Sequence, residues 1–333
     1  MSNQTARVSG GADLLTEQAV ELIHTPVLLV EVVSFLKPQR GGIFVDCTLG
    51  MGGHAEAILS TSEDAQVIGI DRDLQAVEKA SARLEKFGAR FRAVHANFRE
   101  IKAILASLKI EQVAGVLADL GVSSWQLDAP ERGFSFRFDA PLDMRMNADS
   151  NEATAADLLA TLPEEEIARI IYEYGEERFS RRIARRIVEK RANGELVATT
   201  AQLAETVEKS VKRNWSDRIH PATRTFQALR IAVNKELDGL DAFLGDAVDV
   251  LEVSGSLAVI SFHSLEDRIV KKTFRRLAGV CECPPRLPIC QCGAAKKVEI
   301  LTARPIIATE MEMTINPRAR SAKLRVCERI KSE

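Results

Sequence analysis

The first third of the chain alternates near-continuous apolar runs with amphipathic segments. "GIFVDCTL" (42–49), "AQVIGIDRD" (65–73), "ARFRAVHANF" (89–98) and "VAGVLADLGVSS" (113–124) read as strands buried on both faces. Between them, "GGHAEAILSTS", "LQAVEKASARLEKFG" and "REIKAILASLKI" have helical periodicity. Leu74, Val77, Ala80 and Leu84 recur at helical spacing in the second of these. This alternation predicts a doubly wound α/β domain with a parallel sheet covered on both faces.

The rhythm breaks from about residue 131 to 238, where the pattern is helical only. "TLPEEEIARIIYEYGEE" puts Ile167, Ile170, Ile171 and Tyr174 on one face after an acidic first turn. "RFSRRIARRIVEKRANG" does the same with Phe179, Ile183 and Ile187, and "HPATRTFQALRIAVNKELDGL" with Phe226, Leu229, Val233, Leu237 and Leu240. Strand patterns return in "GSLAVISFHS" (255–264), "IIATEMEMTI" (306–315) and "KLRVCERI" (323–330). The expected organisation is a lead-in over 1–21, a core over 22–130, an all-helical insertion over 131–238 and the rest of the core over 239–333.

Composition adds little at first: 46% hydrophobic, 28% charged and a net charge of −2 describe an ordinary globular chain. No apolar run is long enough to span a bilayer, and the first residues have neither the basic nor the apolar part of a secretory signal. A cytoplasmic location is the expectation, with the six cysteines as thiols or metal ligands. Charge is unevenly spread, however. Residues 178–235 hold 14 Lys/Arg against 5 Asp/Glu, an excess of nine positive charges. Arg181, Arg182, Arg185 and Arg186 surround a thin apolar stripe, which is a solvated helix face or, as the local excess favours, a surface for RNA phosphates.

The first candidate site is "DCTLGMGGHA", in which strand one ends in a turn with Gly50, Gly52 and Gly53. Glycines let backbone approach a ligand, and the following helix points its positive end at it. Gly50, Gly52 and Ala55 also fit the dinucleotide pattern G-x-G-x-x-G/A, so an NAD-type oxidoreductase is an alternative. Asp71, closing strand two, suits ribose hydroxyls. Asp46, closing strand one, would repel a pyrophosphate but suits a ligand with an ammonium and a sulfonium, favouring S-adenosylmethionine. Phe98 is a candidate for the adenine or for the core, and Asp119 lies where methyl donor and acceptor would meet. Cytosine C5 chemistry needs a cysteine near strand four, where none occurs. "CECPPRLPICQC" sets Cys281, Cys283, Cys290 and Cys292 at C-x-C-x6-C-x-C, a spacing at which four thiolates could hold a structural zinc.

"HTPVLLVEVV" (24–33), "DCTLGMGGHAEAIL" (46–59), "DLGVSSWQLD" (119–128), "RGFSFRFDAPLDMRMN" (132–147), "SFHSLEDRIVK" (261–271) and "NPRARSAKLRV" (316–326) together resemble the RsmH (MraW) family of ribosomal small-subunit RNA methyltransferases. That resemblance implies a class I S-adenosylmethionine-dependent methyltransferase fold, Rossmann-like, with the insertion recognising RNA. The implied activity is N4-methylation of a decoding-region cytosine (position 1402) of 16S rRNA in the small ribosomal subunit. The implied cofactor contacts are Gly52, Gly53, His54, Asp71, Phe98, Asp119 and Gln126. Trp125 and Asn147 depart from the family's usual Pro and Asp. His263 and Ser264, at the tip of the returning strand, either satisfy a strand-end turn or are substrate-side candidates, and the catalytic proton acceptor is unassigned. A homodimer and a non-catalytic RNA-binding assembly factor on the same fold are both compatible with the sequence.

Overall fold

The computed structural model describes residues 26–122, 129–148, 150–211, 220–281, 283, 287, 291 and 295–331. Its centre is a seven-stranded sheet: β1 (Gly42–Asp46), β2 (Ala65–Asp71), β3 (Phe91–His95), β4 (Val113–Asp119), β5 (Leu251–Ser261), β6 (Val298–Ile300) and β7 (Lys323–Arg329). The order is β3-β2-β1-β4-β5-β7-β6. β1 to β5 run parallel, and β7 pairs antiparallel with both β5 and β6. Chain direction across the sheet reverses between β1 and β4. Their carboxyl ends form the switch point where open α/β sheets bind ligands.

Both faces of the sheet are apolar because alternate residues feed two cores. Val45, Ile68, Ile70, Val116, Ala118, Leu257 and Val259 pack on one side, under helices 101–107, 240–249 and 264–277. Phe44, Val67, Leu117, Ala258 and Ile260 pack on the other, under helices 29–36, 53–61 and 74–84. The period of two within each strand is therefore present but masked at sequence level, since both sets are hydrophobic.

Between β4 and β5 the chain leaves the sheet to build a third core from helices Ala155–Thr161, Glu164–Gly175, Ser180–Ala192, Thr200–Glu208 and Ala222–Asn234. Ile167, Ile170, Ile171, Ile183, Ile187, Leu203, Phe226 and Val233 fill it. Glu164–Gly175 and Ala222–Asn234 cross so closely that a Cβ on Gly175 would lie 2.6 Å from the carbonyl oxygen of Arg224. The insertion is tied to the sheet by buried polar contacts. Arg132 meets Asp73 at 3.2 Å and donates to the Arg145 and Met146 carbonyls. Arg72 donates to the Asn234 carbonyl, and the Asn234 side chain bridges the Met144 carbonyl and the Met146 amide.

One expected strand is a helix. Residues 306–315 contain an isolated bridge from Ile306 to Leu324, after which Glu310–Ile315 turns helical. Thr309 Oγ1 caps that helix by accepting from the Glu312 amide at 3.2 Å. The alternating M-E-M-T-I pattern mimics a strand, but the cap and the helix-forming Met and Glu residues prevail. The short strand β6 has too few residues to show a period.

Candidate active site

A cavity of about 440 Å³ opens at the switch point, between the carboxyl ends of the parallel strands and the helical insertion. Its sheet half is built by the turn after β1. The Gly50 amide donates to Asp71 Oδ2 at 2.8 Å, and Thr48 Oγ1 accepts from the Asp119 amide at 2.7 Å. These bonds lock the ends of β2 and β4 to the turn. Gly53, which starts the helix 53–61, has no room for a side chain: a Cβ would lie 2.4 Å from Cγ of Pro26. Gly52 has a left-handed φ of 76° and faces Leu84 rather than the cavity. It shapes the turn, whereas Gly50 and Gly53 line the space.

Carboxylates dominate this half. Asp46 is 1% exposed; its Oδ1 accepts from the Thr48 amide, while Oδ2 has no hydrogen-bond partner among the described residues. Burial, with the Asp71 charge adding, raises its pKa from 3.8 to about 7. Asp119 Oδ1 is likewise buried and unpartnered, and burial together with Asp46 and Glu266 pushes this carboxyl well above its ordinary range. Burial also raises Asp71, despite amides from Gly50 and Asp73 that hold its charge. His54 Nε2 bonds the Val27 carbonyl oxygen at 3.0 Å, and burial lowers this imidazole to about 4. It is therefore neutral near pH 7, with Nε2 as donor and Nδ1 presenting a lone pair 3.9 Å from Asp119 Oδ2. Asp71 and Asp119 are partly buried and line the cavity, while Asp46 is fully buried behind the wall, so the two orphaned oxygens and the grouped acids favour positive charge at this end of it.

Phe98 serves both readings of it. Its ring meets Phe243 edge-on at 4.6 Å in the core and also lines the cavity. Cys47 lines the cavity too, a feature the sequence reading missed. Burial and the neighbouring Asp46 push its thiol well above 9, so it is protonated and a poor nucleophile. The expectation that no cysteine lies near strand four therefore fails in space, since the Cys47 amide donates to the Leu117 carbonyl of β4 at 2.8 Å.

The other half of the cavity is aromatic and belongs to the insertion: Phe134, Phe136 and Phe226, with Phe262 from the end of β5. Phe136 and Phe226 meet edge-on at 5.0 Å. At the junction of the halves lie His263, Glu266, Arg230 and Glu236. Arg230 grips Glu236 through two bonds of 2.8 and 2.9 Å. Of these four only His263 was anticipated, although Glu266 was legible as the third residue of a helix whose cap is His263.

Other anticipated residues fall elsewhere. Ser264 is not in the cavity; its hydroxyl donates to Glu176, which also holds Arg268 at 3.0 Å, forming a clasp between core and insertion. Arg181, Arg182 and Arg185 are exposed and Arg186 partly so, on the helix Ser180–Ala192. Arg182 lies over the Phe179 ring and Arg185 is 3.7 Å from Glu164. Gln126 lies outside the described residues, as do Cys290 and Cys292. Of the proposed zinc ligands, Cys281 Sγ accepts from the Cys283 amide at 3.4 Å and Cys283 Sγ from the Gln291 amide at 3.2 Å. Those contacts assign no metal. Among the described residues no helix is long and apolar enough to cross a membrane.

Relatives carry the same chain almost end to end. It is 54% identical over 309 residues to ribosomal RNA small subunit methyltransferase H of Geobacter sulfurreducens, covering 92% of this chain and 99% of that one. The protein of the same name from Geotalea daltonii is 52% identical, with 92% and 98% covered. That from Clostridium botulinum is 48% identical over 312 residues, with 93% and 100% covered. Residues 21–330 match the model of the MraW methylase family, and with near-complete relatives at about half identity and a class I methyltransferase fold the chain belongs to that family.

Proposed function

We propose that the protein transfers the methyl group of S-adenosylmethionine to the exocyclic N4 of the decoding-region cytosine of small-subunit rRNA. The observation that carries this reading is the group of acids at the sheet's switch point: Asp71 and Asp119 line the cavity, Asp46 lies buried behind them, and Asp46 Oδ2 and Asp119 Oδ1 have no partner among the described residues. A donor with an ammonium and a sulfonium suits this negative end, and a pyrophosphate would be repelled. The names of the relatives supply the class of acceptor.

In this reading Asp71 accepts from the donor's ribose hydroxyls with the lone pairs that its backbone bonds leave over. Phe98 covers the adenine, and Gly50 and Gly53 admit the donor's backbone-close portion. Asp119 holds the cationic end, with the Asp46 charge and neutral His54 behind it; Gln126 is assigned here from the family pattern alone. The bound donor supplies an electrophilic methyl carbon. The protein supplies position and a water-poor site, because an amine conjugated with its ring is a weak nucleophile and alignment gives most of the acceleration. The arginines of the helix Ser180–Ala192 hold RNA phosphates outside the cavity.

The test incubates hypomethylated small subunits, and separately naked rRNA, with radiolabelled S-adenosylmethionine and maps the label. Label on N4 of one decoding-region cytosine supports the proposal. Donor binding without label on either substrate would favour an assembly factor, and NADH binding without donor binding would favour an oxidoreductase.

A further inference from the structure

His263 and Glu266 present an unused donor and an unused acceptor side by side, in the wall between the donor half and the aromatic half of the cavity. His263 caps the helix Ser264–Leu277: its Nδ1 accepts from the Glu266 amide at 3.4 Å. With Nδ1 an acceptor, the neutral imidazole carries its proton on Nε2, which is buried and has no hydrogen-bond partner among the described residues. Glu266 is 2% exposed, and its Oε2 accepts from the Phe262 and His263 amides at 2.9 and 3.4 Å. Its Oε1 receives neither of those bonds. It lies 3.1 Å from His263 Nε2, but the two groups are not aligned for a hydrogen bond with each other.

A buried donor and acceptor set abreast without bonding each other are costly unless a third group takes both. We propose that this pair reads the amidine edge of the acceptor base, in which an exocyclic amine adjoins a ring nitrogen. The inference rests on the methyltransferase reading above and assigns the acceptor subsite that it left open. Glu266 Oε1 accepts an N–H of the amine, and His263 Nε2–H donates to the ring nitrogen. A keto-lactam edge, as in uracil, would set acceptor against carboxylate and donor against imidazole N–H, and is rejected.

Three further features fit. The aromatic rings of Phe134, Phe136, Phe226 and Phe262 line the adjoining space, which suits a flat base removed from its stack. Glu266 is near enough to Asp119 to raise that carboxyl's pKa, so the base's amine would lie beside the donor's cationic end. Burial alone would raise Glu266, but the His263 ring edge beside Oε1, the Arg230 guanidinium and the Phe262 amide together lower it. In the transfer, the amine nitrogen bonds the methyl carbon as the carbon–sulfur bond breaks, and sulfur keeps that electron pair. The alkylated amine, now positively charged and strongly acidic, passes a proton to Glu266, for which even a weak base suffices. Hydrogen-bonding to the carboxylate beforehand localises the nitrogen lone pair.

Glu236, His263 and Glu266 bring ligand atoms within 4.8 Å of one another, so a divalent cation is the rival occupant. The guanidinium of Arg230, fixed on both oxygens of Glu236, disfavours a cation there.

The experiment compares wild type with Glu266→Gln, Glu266→Asp and His263→Asn on hypomethylated small subunits. Donor affinity is measured by calorimetry, methyl transfer by single turnover and folding by thermal melting. Gln keeps an oxygen for the two amides but places an N–H against the amine. We expect transfer to fall about a hundredfold in Glu266→Gln, with donor Kd within threefold. Glu266→Asp restores part of the rate, and His263→Asn, which retains a helix cap, loses about tenfold. Transfer within threefold of wild type in a folded Glu266→Gln protein overturns the proposal. Parallel loss of donor binding overturns it too, by moving Glu266 to the donor site. So does one equivalent of Zn²⁺ or Mn²⁺ bound by wild type and lost in His263→Asn. Should Glu266 variants fail to fold, His263→Asn decides by the same criteria. A wild type that binds donor but methylates nothing sinks the parent reading instead.

Discussion

Asp46→Asn separates the two roles of a buried carboxylate. The carboxyl keeps its proton in the folded chain up to about pH 7, whereas in the unfolded chain it loses it near 3.8. The folded state thus binds more protons than the unfolded state between those values. Stability therefore falls as pH rises from 3.8 through about 7. At about 1.4 kcal/mol per pH unit, this costs the ligand-free protein roughly 4 kcal/mol above neutrality. Asn keeps the acceptor for the Thr48 amide and cannot ionise, though its amide would be buried without a partner at a cost of about 2 kcal/mol. The ligand-free variant should therefore be about 2 kcal/mol more stable than wild type near pH 8. Its advantage should shrink by about 3 kcal/mol on going to pH 5, where wild type also holds a neutral side chain. S-adenosylmethionine should bind the variant roughly 10–100-fold more weakly near pH 8, the worth of one charge close behind its cationic end. Urea unfolding across this pH range, paired with calorimetric donor titrations, measures both. A stability difference that does not change with pH, or undiminished donor affinity, refutes the argument.

Gly53→Ala should weaken donor binding at least tenfold with little loss of helix, because its Cβ would displace the Pro26 ring; calorimetry and far-UV dichroism check this. Arg132→Ala should cost about 3–5 kcal/mol in chemical denaturation, since it strips Asp73 of a buried partner and frees the Arg145–Met146 carbonyls. The double variant Arg181→Glu/Arg185→Glu should leave donor Kd and melting temperature near wild type. It should lower both the affinity for small-subunit RNA and the slope of log affinity against log salt, measured by filter binding at several salt concentrations.

Sequence alone determined the parallel core, the helical insertion and the glycine turn that lines the cavity. Those features arise from local causes: apolar runs of strand length, helical spacing with caps, and glycines between a strand and a helix. Asp46 and Asp71 were legible as strand-end acids for the same reason. Only tertiary structure decided that Asp46 is buried and that Asp46 Oδ2 and Asp119 Oδ1 are orphaned, since burial depends on what other segments cover them. It also decided that Ser264 clasps Glu176 across the seam, and that Arg230, Glu236, His263 and Glu266 meet between sheet and insertion. Each pairing joins residues whose partners lie on different elements or whose role depends on a cavity wall, and side-chain period does not encode such distances. Residues 310–315 show the converse limit, for a short alternating stretch satisfies strand and helix alike until a cap and its neighbours choose.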